Sequence, residues 1–266
     1  MKYLIGLLLC HTLIGQAQAQ PDPFPQVASA YLVELDGESI WSKQPEQRLS
    51  PASLTKLMTA LLVLEHDQPD EVVIIRLAAT RETGSRIGLK SDERFRMQDL
   101  LAATLIASAN DACHALADHL AGTETEFVSR MNRRAEELGL HDSHFENACG
   151  HDAAGHYSSA GDLSRLAHAL LSHPSLLDIT SKEKMEIATV DGQRRYQMEN
   201  KNALIGRYAG AIGLKTGFTP NAGKCLVAYA KRRGHSVLLV MLHGKERWWD
   251  AVDMLNLAFD HARGTP

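Results

Sequence analysis

Ser53 and Lys56 stand three residues apart at the start of an apolar stretch. On a helix that spacing puts a hydroxyl and an amine on one face, one turn apart. A serine hydroxyl is a weak nucleophile until a neighbour takes its proton. A lysine amine can be that neighbour only if it is neutral near pH 7. Burial among Leu57 and Leu61, or a second cation close by, lowers its pKa in that direction. The chemistry on offer is acyl transfer through a serine ester. By itself the spacing says little, since about one Ser-x-x-Lys is expected by chance in a chain this long. Ser181-Lys182-Glu183-Lys184 repeats it in a polar, charge-dense stretch that reads as a solvated surface run.

Two further groupings could meet such a pair. Ser108-Ala109-Asn110 offers a hydroxyl and an amide two residues apart; alternatively, Asn110 and Asp111 are both good helix N-caps. Lys215-Thr216-Gly217 falls in a strand-like run. Alternation there sends Lys215 and Gly217 to one face and Thr216 to the other, and Gly217 permits close backbone approach. Thirteen histidines raise the question of a metal. His141 and His144 lie three apart and His151 and His156 five apart, with Cys149 and Asp152 as nearby ligand types. These read as solvent-exposed loop histidines, and no metal or cofactor is expected.

Positioning these groups requires a particular set of elements. Ala30–Leu35 alternates as a strand, Asp36-Gly37 signals a hairpin turn, and Ser39–Trp41 continues as a second strand. Leu54–Glu65 carries apolar residues at helical spacing. The segment 97–121 reads as two helical pieces hinged near 108–110. Glu124–Leu138 and Ala160–Leu171 read as further amphipathic helices. Ala211–Gly217, Lys224–Ala230 and Ser236–His243 are strand-like, and Arg247–His261 closes as a helix. Strands at both ends with helices between predict a mixed α/β (α+β) fold. Its antiparallel sheet is built from both chain ends and flanked by helices, with a mainly helical insertion at about 66–205.

The whole chain has 266 residues, 44% hydrophobic and 23% charged. Those values exclude a disordered or fibrous chain. A net charge of −4 excludes a broadly basic surface, so no nucleic-acid partner is expected. Residues 1–19 read as a secretory signal peptide: Lys2, an apolar run from Leu4, then Ala17-Gln18-Ala19 before a cut at Gln20. Cys10 lacks a small residue before it, which argues against a lipoprotein signal. Residues 20–266 are expected to form a single domain, with no spanning segment in the mature chain. Cys113, Cys149 and Cys225 remain, so at least one is free or pairs between chains. Spacing does not choose the pair.

Taken together, Ser-x-x-Lys, Ser-x-Asn and Lys-Thr-Gly occur in order, on an apolar helix, a helical bend and a C-terminal strand. This resembles the penicillin-binding proteins and β-lactamases. Pro51–Ala60, Gly84–Leu89, Asp99–Leu101, Ser108–Ala112, Ser159–Leu163, Asn200–Asn202 and Gly213–Gly217 are similar to the D-alanyl-D-alanine carboxypeptidases of peptidase family S11. The resemblance spans roughly residues 25–262. It implies a transpeptidase-like fold, an exported periplasmic enzyme acting on peptidoglycan stem peptides, and covalent inhibition by β-lactams. It also implies roles. Ser53 is the acyl-enzyme nucleophile and Lys56 its base. Ser108 relays the proton to the leaving D-alanine, and Asn110 holds the substrate backbone. Lys215 and Thr216 receive the terminal carboxylate. Gly217 allows close approach, and the N–H groups of Ser53 and Phe218 form the oxyanion hole.

Two departures stand out. Forty-nine residues follow Gly217, where family members with a second, β-rich domain run on for longer. The compact layout resembles the D,D-endopeptidase branch, which cuts D-alanyl cross-links. Arg247–His261 then reads as a core helix, with Trp248 and Trp249 packed rather than in a membrane. The second departure is Ala148-Cys149-Gly150, where a proline or small polar residue is expected before the glycine. A class A β-lactamase would need a carboxylate in a Glu-x-x-Leu-Asn loop, and Glu146-Asn147 lacks that pattern. Penicillin is therefore expected to acylate the protein and stay. A non-catalytic peptidoglycan-binding protein is the remaining alternative, and the intact motifs give it no support.

Overall fold

The computed structural model describes residues 22–264. The expected signal peptide and the Cys10 question fall on the first 21 residues and lie outside the described residues. β1 (Ala28–Leu35) and β2 (Glu38–Lys43) form the expected hairpin, with Asp36 and Gly37 both at positive φ, as a tight turn of that hand requires. A short 3-10 turn (Ala52–Thr55) leads into α1 (Lys56–His66). The first α-helical residue is thus Lys56, and Ser53 sits in the turn before the helix rather than in its first turn.

There follow β3 (Val72–Ile74), α2 (Leu77–Thr80), β4 (Arg94–Arg96), α3 (Met97–Ile106), α4 (Asn110–Ala121), α5 (Glu124–Glu137), α6 (Ala160–Leu171) and α7 (Pro174–Thr180). β5 (Lys184–Ala188), β6 (Arg195–Glu199), β7 (Ala211–Thr219), β8 (Gly223–Arg232), β9 (His235–Gly244) and α8 (Arg247–Gly264) complete the chain. The main sheet is antiparallel in the order β2-β1-β9-β8-β7. It joins both chain ends, as the strand pattern predicts. The two-stranded sheets β3/β4 and β5/β6 were not expected. In Arg94-Phe95-Arg96 only Phe95 is buried, a pattern too short to register as alternation.

Alternation along β9 feeds two cores. Leu238, Val240 and Leu242 pack with α1, α3, α4 and α6 on one face. Leu239 and Met241 pack with Ala251, Met254, Leu255 and Ala258 of α8 on the other. The first core packs α1 against α3, α4 and α6, with α6 on β9 and β1 and the Ala52–Thr55 turn against β7, and so places Lys56, Asn110 and Ser53. Trp249 departs from the packing expected of it, being 76% exposed.

Candidate active site

Lys56 is fully buried, and its Nζ lies 2.7 Å from Asn110 Oδ1, 2.5 Å from Cys149 O and 3.1 Å from Ser53 Oγ. The first two are oxygens that accept only. A neutral amine has two N–H groups and one lone pair. Donating both N–H groups to Asn110 and Cys149 leaves the lone pair for the Ser53 hydroxyl. Burial pushes the Lys56 pKa down to about 7, against the pull of the Glu82 carboxylate. The amine is therefore available as a base near neutral pH.

The turn carrying Ser53 is held on several sides. Ala52 has φ 47°, and its carbonyl accepts from Thr55 Oγ1 at 2.8 Å. Thr55 has spent its proton there, so His156 Nε2–H donates to Thr55 Oγ1, also at 2.8 Å. His156 Nδ1 accepts from Glu146 N at 3.2 Å, which completes a neutral Nε2–H tautomer. Burial lowers the His156 pKa to about 4, in keeping with that form. The expectation of an exposed histidine is thus wrong for His156, which is 6% exposed. Gly150, at φ +84°, packs so tightly that a Cβ would overlap the Ala52 carbonyl. On the opposite side a Cβ on Gly217 would stand 3.2 Å from Ser53 N.

Ser108 occupies the hinge between α3 and α4 at φ 59°, a costly conformation for a non-glycine residue. Its Oγ accepts from Lys215 Nζ at 2.9 Å, and that amine also donates to Thr216 O at 2.8 Å. Lys215 is buried, and burial, then the charges of Lys56 and Arg247, hold its pKa well below the ordinary lysine value. Thr216 is covered as well, at 7% exposure, whereas Phe218 is 62% exposed. Asn110 donates from Nδ2 to Thr83 O at 2.6 Å, and its N–H donates to Ser85 O. Asn110 is thus a structural joint as well as a candidate substrate contact; each end of its amide keeps capacity for one more hydrogen bond.

Ser53, Lys56 and Asn110 are directly linked. Ser108, Lys215 and Thr216 form a second linked set, and Gly217 abuts Ser53. Ser181 and Lys184 of the repeated spacing lie elsewhere, Lys184 paired with Glu199 on the exposed β5/β6 hairpin.

Several contributions could not be read from the sequence, among them that of Asp111, considered there as a helix N-cap although the cap position of α4 is Ala109. Asp111 accepts the N–H groups of Ile87, Gly88 and Leu89, so it folds the 83–89 loop over α4. Arg247 donates to the carbonyls of Gly217 and Cys225 at 2.8 and 2.9 Å and so braces β7. Glu82 bridges His114 Nδ1 at 2.6 Å and His151 Nε2 at 2.7 Å. Burial opposes its ionisation, but those hydrogen bonds outweigh it and bring its carboxyl down to about 2. Glu82, His114 and Glu124 bring ligand-type atoms within 4.8 Å of one another, a grouping that spacing along the chain hid. Of the histidines considered for a metal, His144 pairs with Glu146 and His151 with Glu82. Cys149 is bonded to Cys113, and Cys225 is a buried free thiol.

The family model described as D-alanyl-D-alanine carboxypeptidase, peptidase family S11, matches residues 16–246. The D-alanyl-D-alanine carboxypeptidase DacF of Bacillus subtilis is 35% identical over 278 residues, covering 99% of this chain and 71% of DacF. The chain spans 56% of the length of the carboxypeptidase DacD of Escherichia coli, to which it is 35% identical. A D-alanyl-D-alanine endopeptidase of Pseudomonas aeruginosa is 30% identical, with 96% of this chain and 86% of that protein covered. Among solved structures, penicillin-binding protein D2 of Listeria monocytogenes in its ampicillin-bound form superposes with a TM-score of 0.77 at 32% identity, covering 88% of this chain and 98% of that one. With its motifs converging around Ser53 and the match running through most of its length, the chain belongs to the D-alanyl-D-alanine carboxypeptidase family S11 of low-molecular-weight penicillin-binding proteins.

Proposed function

We propose that this protein is a serine D,D-peptidase that removes the terminal D-alanine from peptidoglycan stem peptides ending in D-Ala-D-Ala. The observation that carries the reading is the buried Lys56 amine, with two acceptors fixing its N–H groups and Ser53 Oγ left for its lone pair. Ser53 Oγ attacks the carbonyl of the penultimate D-alanine, and its proton passes to Lys56. The N–H groups of Ser53 and Phe218 stabilise the oxyanion. Collapse breaks the peptide bond, and the proton reaches the departing amine by way of Ser108. Water then attacks the ester with Lys56 again as base, releasing the shortened peptide and restoring the Ser53 hydroxyl.

The terminal carboxylate of the substrate enters beside Lys215 and Thr216. Burial, then the charges of Lys56 and Arg247, disfavour a charged Lys215, so an anion arriving next to it stabilises the ammonium and is held by it. The same geometry accepts a β-lactam, whose carboxylate takes the place of the terminal D-alanine carboxylate. Glu146, the residue nearest in type to a deacylating base, is paired with His144 on an exposed loop. A penicillin ester on Ser53 is therefore expected to persist. The Cys113–Cys149 disulfide suits an oxidising compartment, which supports export through the 1–19 leader to the periplasm.

The similarity to the Pseudomonas aeruginosa endopeptidase favours a second reading, hydrolysis of D-alanyl cross-links by the same acyl-enzyme route. One digestion of purified cross-linked peptidoglycan separates the two, read by liquid chromatography and mass spectrometry. Pentapeptides losing one D-alanine while dimers persist is the expected result. Dimers falling to monomers assigns the endopeptidase instead. No change in either, beside an active S11 enzyme on the same substrate, rejects the catalytic reading.

A further inference from the structure

Cys149 fits no expectation for its position, and the structure gives it two attachments. Its carbonyl is one of the two acceptors that orient the Lys56 amine, and its sulfur is bonded to Cys113. Cys113 lies one turn beyond Asn110 on α4, and Asn110 Oδ1 is the other acceptor. The disulfide therefore joins the two segments that supply the two acceptors. Both sulfur-bearing residues are buried, at 0% and 1% exposure.

The other ties of the 147–151 loop run elsewhere. Ala148 O accepts from Thr59 of α1 at 2.7 Å, and Ala148 N donates to Glu124 of α5 at 3.0 Å. Gly150 N and His151 N donate to Asn147 Oδ1 within the loop itself. The Thr59 contact sets the loop against the helix that carries Lys56. Between α4 and the loop run two ionic bridges from His114, one through Glu82 to His151 and a longer one through Glu124 to Ala148 N, both partly open to solvent, and the covalent bond.

We propose that the Cys113–Cys149 disulfide is a positioning element for acylation: by tying α4 to the 147–151 loop it holds the two acceptors that aim the Lys56 amine at Ser53. The proposal rests on Ser53 and Lys56 acting as nucleophile and base. Without the bond the two acceptors move independently, the amine loses its fixed direction and water reaches it. The charged groups facing Lys56 are Glu82 from the loop after α2 and Lys215 from β7, with Arg247 beyond Lys215. Glu82 is itself bound to His114 of α4 and His151 of the loop, so when the disulfide is broken that ionic bridge remains as a link between the two segments while the solvation and aim of the amine change.

The test compares acylation by a fluorescent penicillin as a function of pH for three forms of the mature chain. These are the oxidised protein, the same protein reduced by dithiothreitol, and C113A/C149A. In the reduction, one reagent thiolate attacks a disulfide sulfur and its second thiol completes the exchange. Two cysteine thiols and a cyclic reagent disulfide result, and alkylation followed by mass measurement counts the thiols. Reduction and the double substitution are each expected to raise the midpoint of the acylation profile by about one pH unit and so to slow acylation at pH 7 about fivefold. Reductant should add nothing to the double variant. A purely structural bond would lower the melting temperature and leave the midpoint in place, and that result overturns the proposal. If the double variant does not fold, the reduced wild-type chain decides on the same criterion. An oxidised chain that penicillin does not acylate refutes the Ser53–Lys56 reading itself, an outcome distinct from an acylated chain indifferent to its disulfide.

Discussion

At the scale of single residues, the account turns on one proton. Lys56 has to be neutral to take it from Ser53, and burial brings its pKa to about 7. Below that pH the amine is charged and acylation falls about tenfold per pH unit; above it the rate levels off. A stopped-flow profile with a chromogenic cephalosporin should show that acid limb, and a rate flat from pH 5 to 9 would remove Lys56 as the base. The same shift has a sign for stability. The unfolded chain binds a proton at Lys56 up to about 10.5, while the folded chain releases it near 7. Between those values the unfolded state holds more protons, so the contribution of Lys56 to stability rises with pH across that window. Ser53, Lys56, Ser108, Asn110 and Lys215 could be picked out as candidates because three short motifs occur together and in order, a conjunction that resembles one family, whereas each spacing alone says little. His156 was not. A histidine among polar loop residues looks the same in sequence whether it faces water or donates to Thr55, and only the partner 101 residues away decides.

At the scale of elements, the site depends on close backbone approach at two glycines. Gly150 lies against the carbonyl of Ala52, and Gly217 lies against Ser53 N. Gly150→Ala adds a methyl where there is no room, at a φ that side chains rarely adopt. The expected cost is about 1–3 kcal/mol of stability, with acylation lost by more than the fall in stability explains because the turn bearing Ser53 must shift. Thermal melts beside penicillin labelling would measure both, and unchanged labelling would show that the Ala52 turn is not held there. The long amphipathic helices and the strands β1, β7, β8 and β9 could be read from periodicity, since each repeats its pattern several times. The 3-10 turn at Ala52–Thr55 and the two-stranded sheets β3/β4 and β5/β6 could not. Their strands have three to five residues, and what stabilises them is contact with distant segments, such as Phe95 against Tyr196.

At the scale of the whole molecule, the chain closes one sheet from its two ends and sets its helices on both faces. This brings Ser53 from the N-terminal part, Asn110 from the middle and Lys215 from the C-terminal part to one site. The architecture could be anticipated from strands flanking helices. The disulfide pairing could not, because three cysteines admit several pairs, and the fold alone sets Cys113 beside Cys149 while enclosing Cys225. Assembly of the candidate site from such distant parts would make acylation a report on the entire fold. The most direct measurement is therefore peptide mapping by mass spectrometry of the intact chain after benzylpenicillin treatment, with Ser53→Ala in parallel. The account predicts one penicilloyl group per chain, on the peptide containing Ser53, and none on the variant. An adduct on the peptide containing Ser181, an adduct that survives Ser53→Ala, or no adduct on the folded wild-type chain would contradict it.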